Sequence, residues 1–314
     1  MKGLEISRGY YEEYGSPMLK NDFPDLLGHI AVGFVGSGSE HFGFDDDVSC
    51  DHDFEPGFCI FLPGEDIVDR RRAFQLERAY SKLPKEYMGV SRTLVSPVGG
   101  NRNGVLRTSE FYENAAGTPN GDLSTQAWLH IPDSALAEAT NGEVFYDGCG
   151  EFTAIREKLK NMPRDIKLKR IAGNILLMAQ SGQYNFVRCL MHGEPEAAQL
   201  AIVEFVNAAM KTTFLLKDMY MPFYKWSFRA LRENAHEEEL AEKLSFLLTG
   251  DNSETLVADV KYETIEEISG QLIAELRRRK LTEANCDDLE KHAYSVNDQI
   301  SDGNIRNMHI LTAV

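Results

Sequence analysis

Two short apolar runs joined through a glycine-serine turn constrain this chain more than any other feature. The first, LGHIAVGFV (Leu27–Val35), runs into Gly36-Ser37-Gly38-Ser39; the second, FCIFL (Phe58–Leu62), follows an acidic stretch. Apolar runs of this length bounded by Gly and Ser read as strands, the first delivering a loop. Immediately before the second run lies DHDFE, Asp51–Glu55. Asp51 and Asp53 are two apart at the start of an apparent strand, so both side chains project from one face, with His52 and Phe54 on the other.

The rest of the first half alternates helix and strand. LEISRGYYEEYGSPMLK (4–20) reads as a helix that Gly15 to Pro17 weakens or ends. From Asp66 to Leu83 the spacing of Ile67, Ala73, Phe74, Leu76 and Leu83 predicts an amphipathic helix. VLRTSEFY (Val105–Tyr112) reads as a third strand, and ALAEATNGEVFYDGCGEFTAIREKLKNM as helix, turn, strand and helix. From Pro163 the pattern turns helical: Ala198, Ile202, Phe205, Ala209 and Phe214 form one stripe, and further helices are expected at 236–249, 261–280 and 283–300. The expectation is an α+β chain, with a mixed α/β domain over 1–162 and a helical domain over 163–314.

Composition excludes several classes. The chain has 314 residues, a hydrophobic fraction of 43% and a charged fraction of 26%, as a folded protein has. No apolar run of about 18 residues is present, and the N-terminus lacks a signal-peptide stretch, so a soluble cytoplasmic protein with no membrane partner is expected. Cys50, Cys59, Cys149, Cys189 and Cys286 form no C-x-x-C pair, which argues against a disulfide framework or a zinc cluster. A net charge of −16 repels long nucleic acid, while a nucleoside triphosphate bridged by a divalent cation remains compatible. The basic runs at 70–72 and 277–280 read as solvated helix faces.

Paired carboxylates at the Asp51/Asp53 spacing can hold two divalent cations that clamp the attacking and leaving oxygens of a phosphoryl displacement. Asp51 falls twelve residues after Ser39. Glycine lets backbone approach phosphate closely, and a serine hydroxyl with nearby N–H groups can hold its oxygens. Asp45, Asp46 and Asp47 read as turn and cap residues, with Asp45 a candidate for shaping the loop under a triphosphate. His52, which alternates away from the Asp pair, reads as a hydrogen-bonded buried histidine rather than a ligand; His41 sits within the phosphate loop, where contact with a ligand is the weaker reading. Tyr220, Phe223, Trp226 and Phe228 in YMPFYKWSFRAL read as helix-packing residues, Pro222 as a first-turn proline; Lys225 is a candidate for the triphosphate, and Arg188 and His192 are weaker ones.

The order strand, Gly-Ser loop, D-x-D strand resembles the nucleotidyltransferase superfamily of DNA polymerase beta and kanamycin nucleotidyltransferase. The fuller run GSE-x-x-GFD-x-x-x-S-x-DHD looks closer still to an uncharacterised bacterial branch, a domain of unknown function, as do GEVFYDGCGEF (Gly142–Phe152) and YMPFYKWSFRAL (Tyr220–Leu231). The resemblance implies that Gly38 and Ser39 take the triphosphate and that Asp51 and Asp53 bind magnesium. Gly36-Ser37 repeats the pair; the second is preferred because Gly43 then falls four after Ser39, as in many relatives. Many members use a third carboxylate on a later strand as base or metal ligand, and Glu110 is the best-placed acid here.

The expected activity is magnesium-dependent transfer of a nucleoside monophosphate, AMP from ATP, to a hydroxyl on a small molecule or protein. The rivals are antibiotic adenylylation of the aminoglycoside or lincosamide type, protein AMPylation of a toxin-antitoxin kind, and a nucleotide-binding protein that has lost turnover.

Overall fold

A computed structural model describes residues 2–46, 55–92 and 103–314. Asp47, Ser49, Cys50, Asp51, His52 and Asp53 lie outside the described residues. The fold is mixed α and β: a small sheet with helices, followed by many more helices. By contacts the chain divides into two compact units, Met1–Leu123 with Ser134–Asn161, and Ser124–Asp133 with Met162–Val314. The expected partition at 162 did not anticipate that the short stretch Ser124–Asp133 joins the second unit.

In the first unit the strands are β1 (Ala31–Phe34), β2 (Cys59–Leu62), β3 (Glu86–Tyr87), β4 (Val90–Ser91), β5 (Gly104–Arg107) and β6 (Glu143–Asp147). β3 and β4 form a separate two-stranded ribbon; the main sheet has the order β5-β2-β1-β6. β1 is antiparallel to β2, with Gly33 opposite Cys59, and antiparallel to β6, with a register shift between Val32 and Gly33. β5 runs parallel to β2, with Gly104 beside Cys59 and Arg107 beside Leu62. All eight residues of β1 and β2 are buried, as central strands covered on both faces must be.

Alternation along β2 sends its side chains to two layers. Phe58, Ile60 and Leu62 join Val32 in a core with Tyr10, Leu19, Leu76 and Tyr80, from the N-terminal helices and helix Arg70–Tyr80. Phe61 points the other way, its ring 4.2 Å from Phe152 and 5.2 Å from Phe111 between centroids, on helices Glu151–Lys160 and Thr108–Ala116.

Of the two outcomes expected at Gly15 to Pro17, a weakened or an ended helix, the helix does not end but passes through a widened turn. Helix Gly3–Tyr10 continues as a π-helical turn, Tyr11–Gly15, into helix Ser16–Asp22. The Ser16 N–H donates to the Tyr11 carbonyl, five residues back, and Pro17 sits in the first turn of the last segment, where its missing N–H matters least. A Cβ on Gly15 would lie 2.4 Å from the Phe58 ring, so this glycine serves close packing.

Three other expectations are corrected. Helix Arg70–Tyr80 starts later than Asp66, capped by the Asp69 carboxylate, which accepts from the Arg72 N–H at 2.7 Å. Leu76 and Tyr80 then set its inner face, and Ile67 and Phe74 are exposed. The expected strand Val105–Tyr112 stops at Arg107, because Thr108 begins a helix. The segment before helix Tyr224–Glu233 is not helical: Phe223 is its N-cap residue, Pro222 precedes it, and Phe223 is exposed rather than packed.

In the second unit, helix Arg164–Met178 is almost wholly buried, packing against helices Pro195–Leu216 and Leu289–Asp298. All five stripe residues of Pro195–Leu216 are buried. Two lysines are sealed inside this unit. Lys169 Nζ donates to Asn297 Oδ1 (2.9 Å) and to the carbonyls of Met308 (2.7 Å) and Arg306 (3.3 Å). Lys261 Nζ donates to the Gly250 carbonyl (2.7 Å), Asn252 Oδ1 (2.6 Å) and Gln199 Oε1 (3.2 Å). Burial lowers the pKa of both, and three acceptors around each offset the desolvation of the charge.

Candidate functional site

The Gly36–Ser39 loop leaves the C-terminal end of β1, beside the N-terminal ends of β2, β5 and β6. Gly36 (φ 121°) and Gly38 (φ 137°) adopt backbone conformations that side chains rarely tolerate. A second segment fixes the loop. The Asn141 side chain accepts from the Gly36 N–H at 2.9 Å and donates from Nδ2 to the Gly36 carbonyl at 2.7 Å. Next to it, the Gly142 N–H donates to the His41 carbonyl at 3.0 Å. Arg156 closes the arrangement by donating from Nη2 to the Gly142 carbonyl at 3.0 Å. Arg156 is only 8% exposed, and burial is the main cause pulling its pKa below the ordinary value.

The four serine and glycine candidates differ in access. Ser37 is exposed and Gly38 half-buried, whereas Ser39 is 6% exposed, its hydroxyl 3.3 Å from Glu40 Oε2. The Ser39 carbonyl accepts from the Phe42 and Phe44 N–H groups, closing a 3-10 turn over Glu40–Phe42 that ends at Gly43 (φ 72°). A Cβ on Gly38 would fall 2.4 Å from the Glu40 carboxylate, so a buried acid lies against the loop. His41 is buried against the Phe34 ring (4.1 Å between centroids), with Nδ1 3.6 Å from Glu40 Oε1.

Asp51 and Asp53 lie outside the described residues, and the described strand begins at Cys59. Both flanks of that stretch are tied to the first helix. The Gly3 N–H donates to Asp45 Oδ2 at 2.9 Å, and the Ser7 hydroxyl donates to the Gly57 carbonyl at 2.6 Å. Gly3 and Ser7 are four apart, one helical turn on one face. Asp45, 4% exposed, therefore caps a helix distant in sequence. The Tyr80 hydroxyl adds a further anchor, accepting from the Phe58 N–H (3.1 Å) and donating to the Phe58 carbonyl (2.8 Å).

Glu110 is exposed in the first turn of helix Thr108–Ala116 rather than on a strand. Its neighbour Phe111 brings that helix close to the loop: a Cβ on Gly36 would lie 3.7 Å from the Phe111 ring. Lys225 belongs to the second unit, exposed, with Nζ 4.8 Å from the Trp226 ring centroid. Arg188 and His192 are also exposed there, Arg188 resting over the Tyr184 ring at 4.9 Å. Among the described residues, no group of three or more His, Cys, Asp or Glu is placed to hold a metal, and no helix is long and apolar enough to cross a membrane.

GEVFYDGCGEF has a local physical account. A Cβ on Gly142 would meet the Phe34 carbonyl at 2.0 Å, and one on Gly148 the Leu27 carbonyl at 1.9 Å, so glycine at both ends lets β6 lie against β1. Asp147 caps the next helix, accepting from the Gly150 N–H (2.9 Å), the Thr153 N–H (2.8 Å) and the Thr153 hydroxyl (2.7 Å).

Fold and loop thus define a chain in which a small mixed sheet carries a clamped glycine-serine loop and a separate helical unit follows. Residues 128–227 match a family described as a domain of unknown function, DUF4037. That match includes β6, Gly142–Phe152 and most of Tyr220–Leu231, and does not reach Gly36–Ser39 or Asp51 and Asp53. No curated protein matches the chain.

Proposed function

We propose that this chain is a nucleotidyltransferase that moves a nucleoside monophosphate, AMP from ATP, to an acceptor hydroxyl with the help of magnesium. The observation that carries the reading is the Gly36–Ser39 loop, clamped by Asn141 at the end of the sheet where β2 begins. In sequence the approach to β2 contains Asp51 and Asp53.

In this reading the loop backbone and the Ser37 and Ser39 hydroxyls orient the triphosphate, and Asp51 and Asp53 are the residues that would hold magnesium. The Glu40 carboxylate against the loop makes a countercharge necessary, since a bare triphosphate there would meet like charge. Magnesium, when bound, would neutralise phosphate charge while the acceptor oxygen bonds to the α-phosphorus and the bond to the leaving pyrophosphate breaks. What the protein supplies is position: a loop clamped from behind holds the phosphates in line with the incoming oxygen. Glu110 is a candidate to take the acceptor's proton.

Incubating the protein with ATP labelled at the α-phosphate and cell extract tests this. Magnesium-dependent label on one acceptor is expected; absence of transfer together with tight ATP binding would favour the nucleotide-binding protein that has lost turnover.

A further inference from the structure

The basic run at 277–280 is not simply a solvated face. Arg278 and Arg279 line a cavity of about 400 Å³ within the helical unit. Its apolar lining comes from Met178, Ala209, Leu216, Leu240, Ile268 and Leu272, on four different helices. Small-molecule sites have this size and this mixture of an apolar body with a few placed polar groups.

The charged lining is lopsided. Lys217, Arg278 and Arg279 face only two acids, Glu237 and Glu275. Lys217 Nζ is 2.8 Å from Glu237, which neutralises that pair. Glu275 is shared: Arg278 reaches it through Nε and Nη2, both at 2.7 Å, and Arg279 through Nε at 2.5 Å. One carboxylate cannot neutralise two guanidiniums, and Arg279 spends only one of its five N–H donors on it. Its Nη groups have no partner among the described residues. The C-terminal end of helix Thr255–Arg278 offers roughly half a negative charge, which Arg277 and Lys280 outside the cavity already balance. An excess positive charge over an apolar floor is notable in a chain of net charge −16.

We propose that this cavity binds an amphipathic monoanion, its apolar body against Leu240, Ile268 and Leu272 and its carboxylate on the free guanidinium edge of Arg279. A planar guanidinium fork matches a carboxylate with two parallel hydrogen bonds.

Calorimetric titration of the full chain with decanoate, with decanol as the neutral counterpart, tests this. Decanoate should bind at one site per chain and more tightly than decanol. Arg279→Gln should weaken decanoate about tenfold, the loss of a charge-assisted pair, and leave decanol unchanged. Arg279→Lys, keeping charge without the fork, should fall between. Because Arg278 still holds Glu275, these variants should remain folded at the temperature of the titration. Leu272→Trp should fill the cavity and weaken both ligands. Absence of saturable decanoate binding, equal losses of both ligands in Arg279→Gln, or unchanged binding in Leu272→Trp would each overturn the proposal.

Discussion

The side chain of Asn141 holds both backbone polar groups of Gly36, 105 residues away in sequence, accepting from its N–H and donating to its carbonyl. The first glycine of the loop is therefore fixed by the turn that feeds β6. Asn141→Ala should lower stability by about 1–2 kcal/mol, the usual effect of leaving partly buried backbone groups unpaired. It should also raise hydrogen exchange at the Gly36 amide above that at Val32. Unchanged exchange at Gly36 would mean the clamp does not fix the loop.

Much of this arrangement was legible in the sequence, and the rest was not, for physical reasons. Short apolar runs marked β1 and β2, β6 lies where a strand was read, and the acidic cap reading of Asp45 agrees with its hydrogen bond to Gly3. What sequence could not show is the partner of that cap, since the contact joins segments 42 residues apart. Asn141 announced only a turn, as Asn-Gly does. Thr108 ended a strand because its helix packs Phe111 and Tyr112 beside Phe152, a tertiary effect that overrides local β preference. Asp51 and Asp53, the expected magnesium ligands, lie outside the described residues.

Glycines 142 and 150 allow a matched comparison of contact with conformation. Both have positive φ, but a Cβ on Gly142 would strike the Phe34 carbonyl, whereas one on Gly150 meets nothing within 4 Å. Gly150→Ala should cost about 1 kcal/mol from strain alone, and Gly142→Ala about 3 kcal/mol or more because backbone must also move. Denaturant titration of the two variants checks the ordering; equal losses would contradict it.

Lys169 ties the C-terminal segment to the buried helix Arg164–Met178. Replacing it with Met removes a costly buried charge but leaves Asn297 Oδ1 and the Met308 carbonyl without this donor. The net loss should be about 1–3 kcal/mol. Hydrogen exchange should rise first in Gly303–Asn307 and Ile310–Ala313, and a uniform rise across the second unit would argue against a local tie.

Glu275 supplies a pH test. Its hydrogen bonds from Arg278, joined by Arg279, hold its carboxyl down at about 2, against an ordinary value of 4.5. A depressed carboxyl pKa stabilises the fold above the unfolded value and loses that stabilisation as pH falls through the folded one. The stability advantage of the parent protein over Glu275→Gln should therefore be full above about pH 5 and shrink between 4.5 and about 2. An advantage that persists undiminished at pH 2 would show that the ion pairs are not its source.

The most direct test of the account is calorimetric titration with ATP, with and without magnesium, of the parent protein and of the variant carrying Asp51→Asn and Asp53→Asn. Tight binding by the parent is expected only when magnesium is present, with at least a tenfold loss in the variant and the melting temperature unchanged. Equal affinity in the two proteins, or ATP binding indifferent to magnesium, would contradict it.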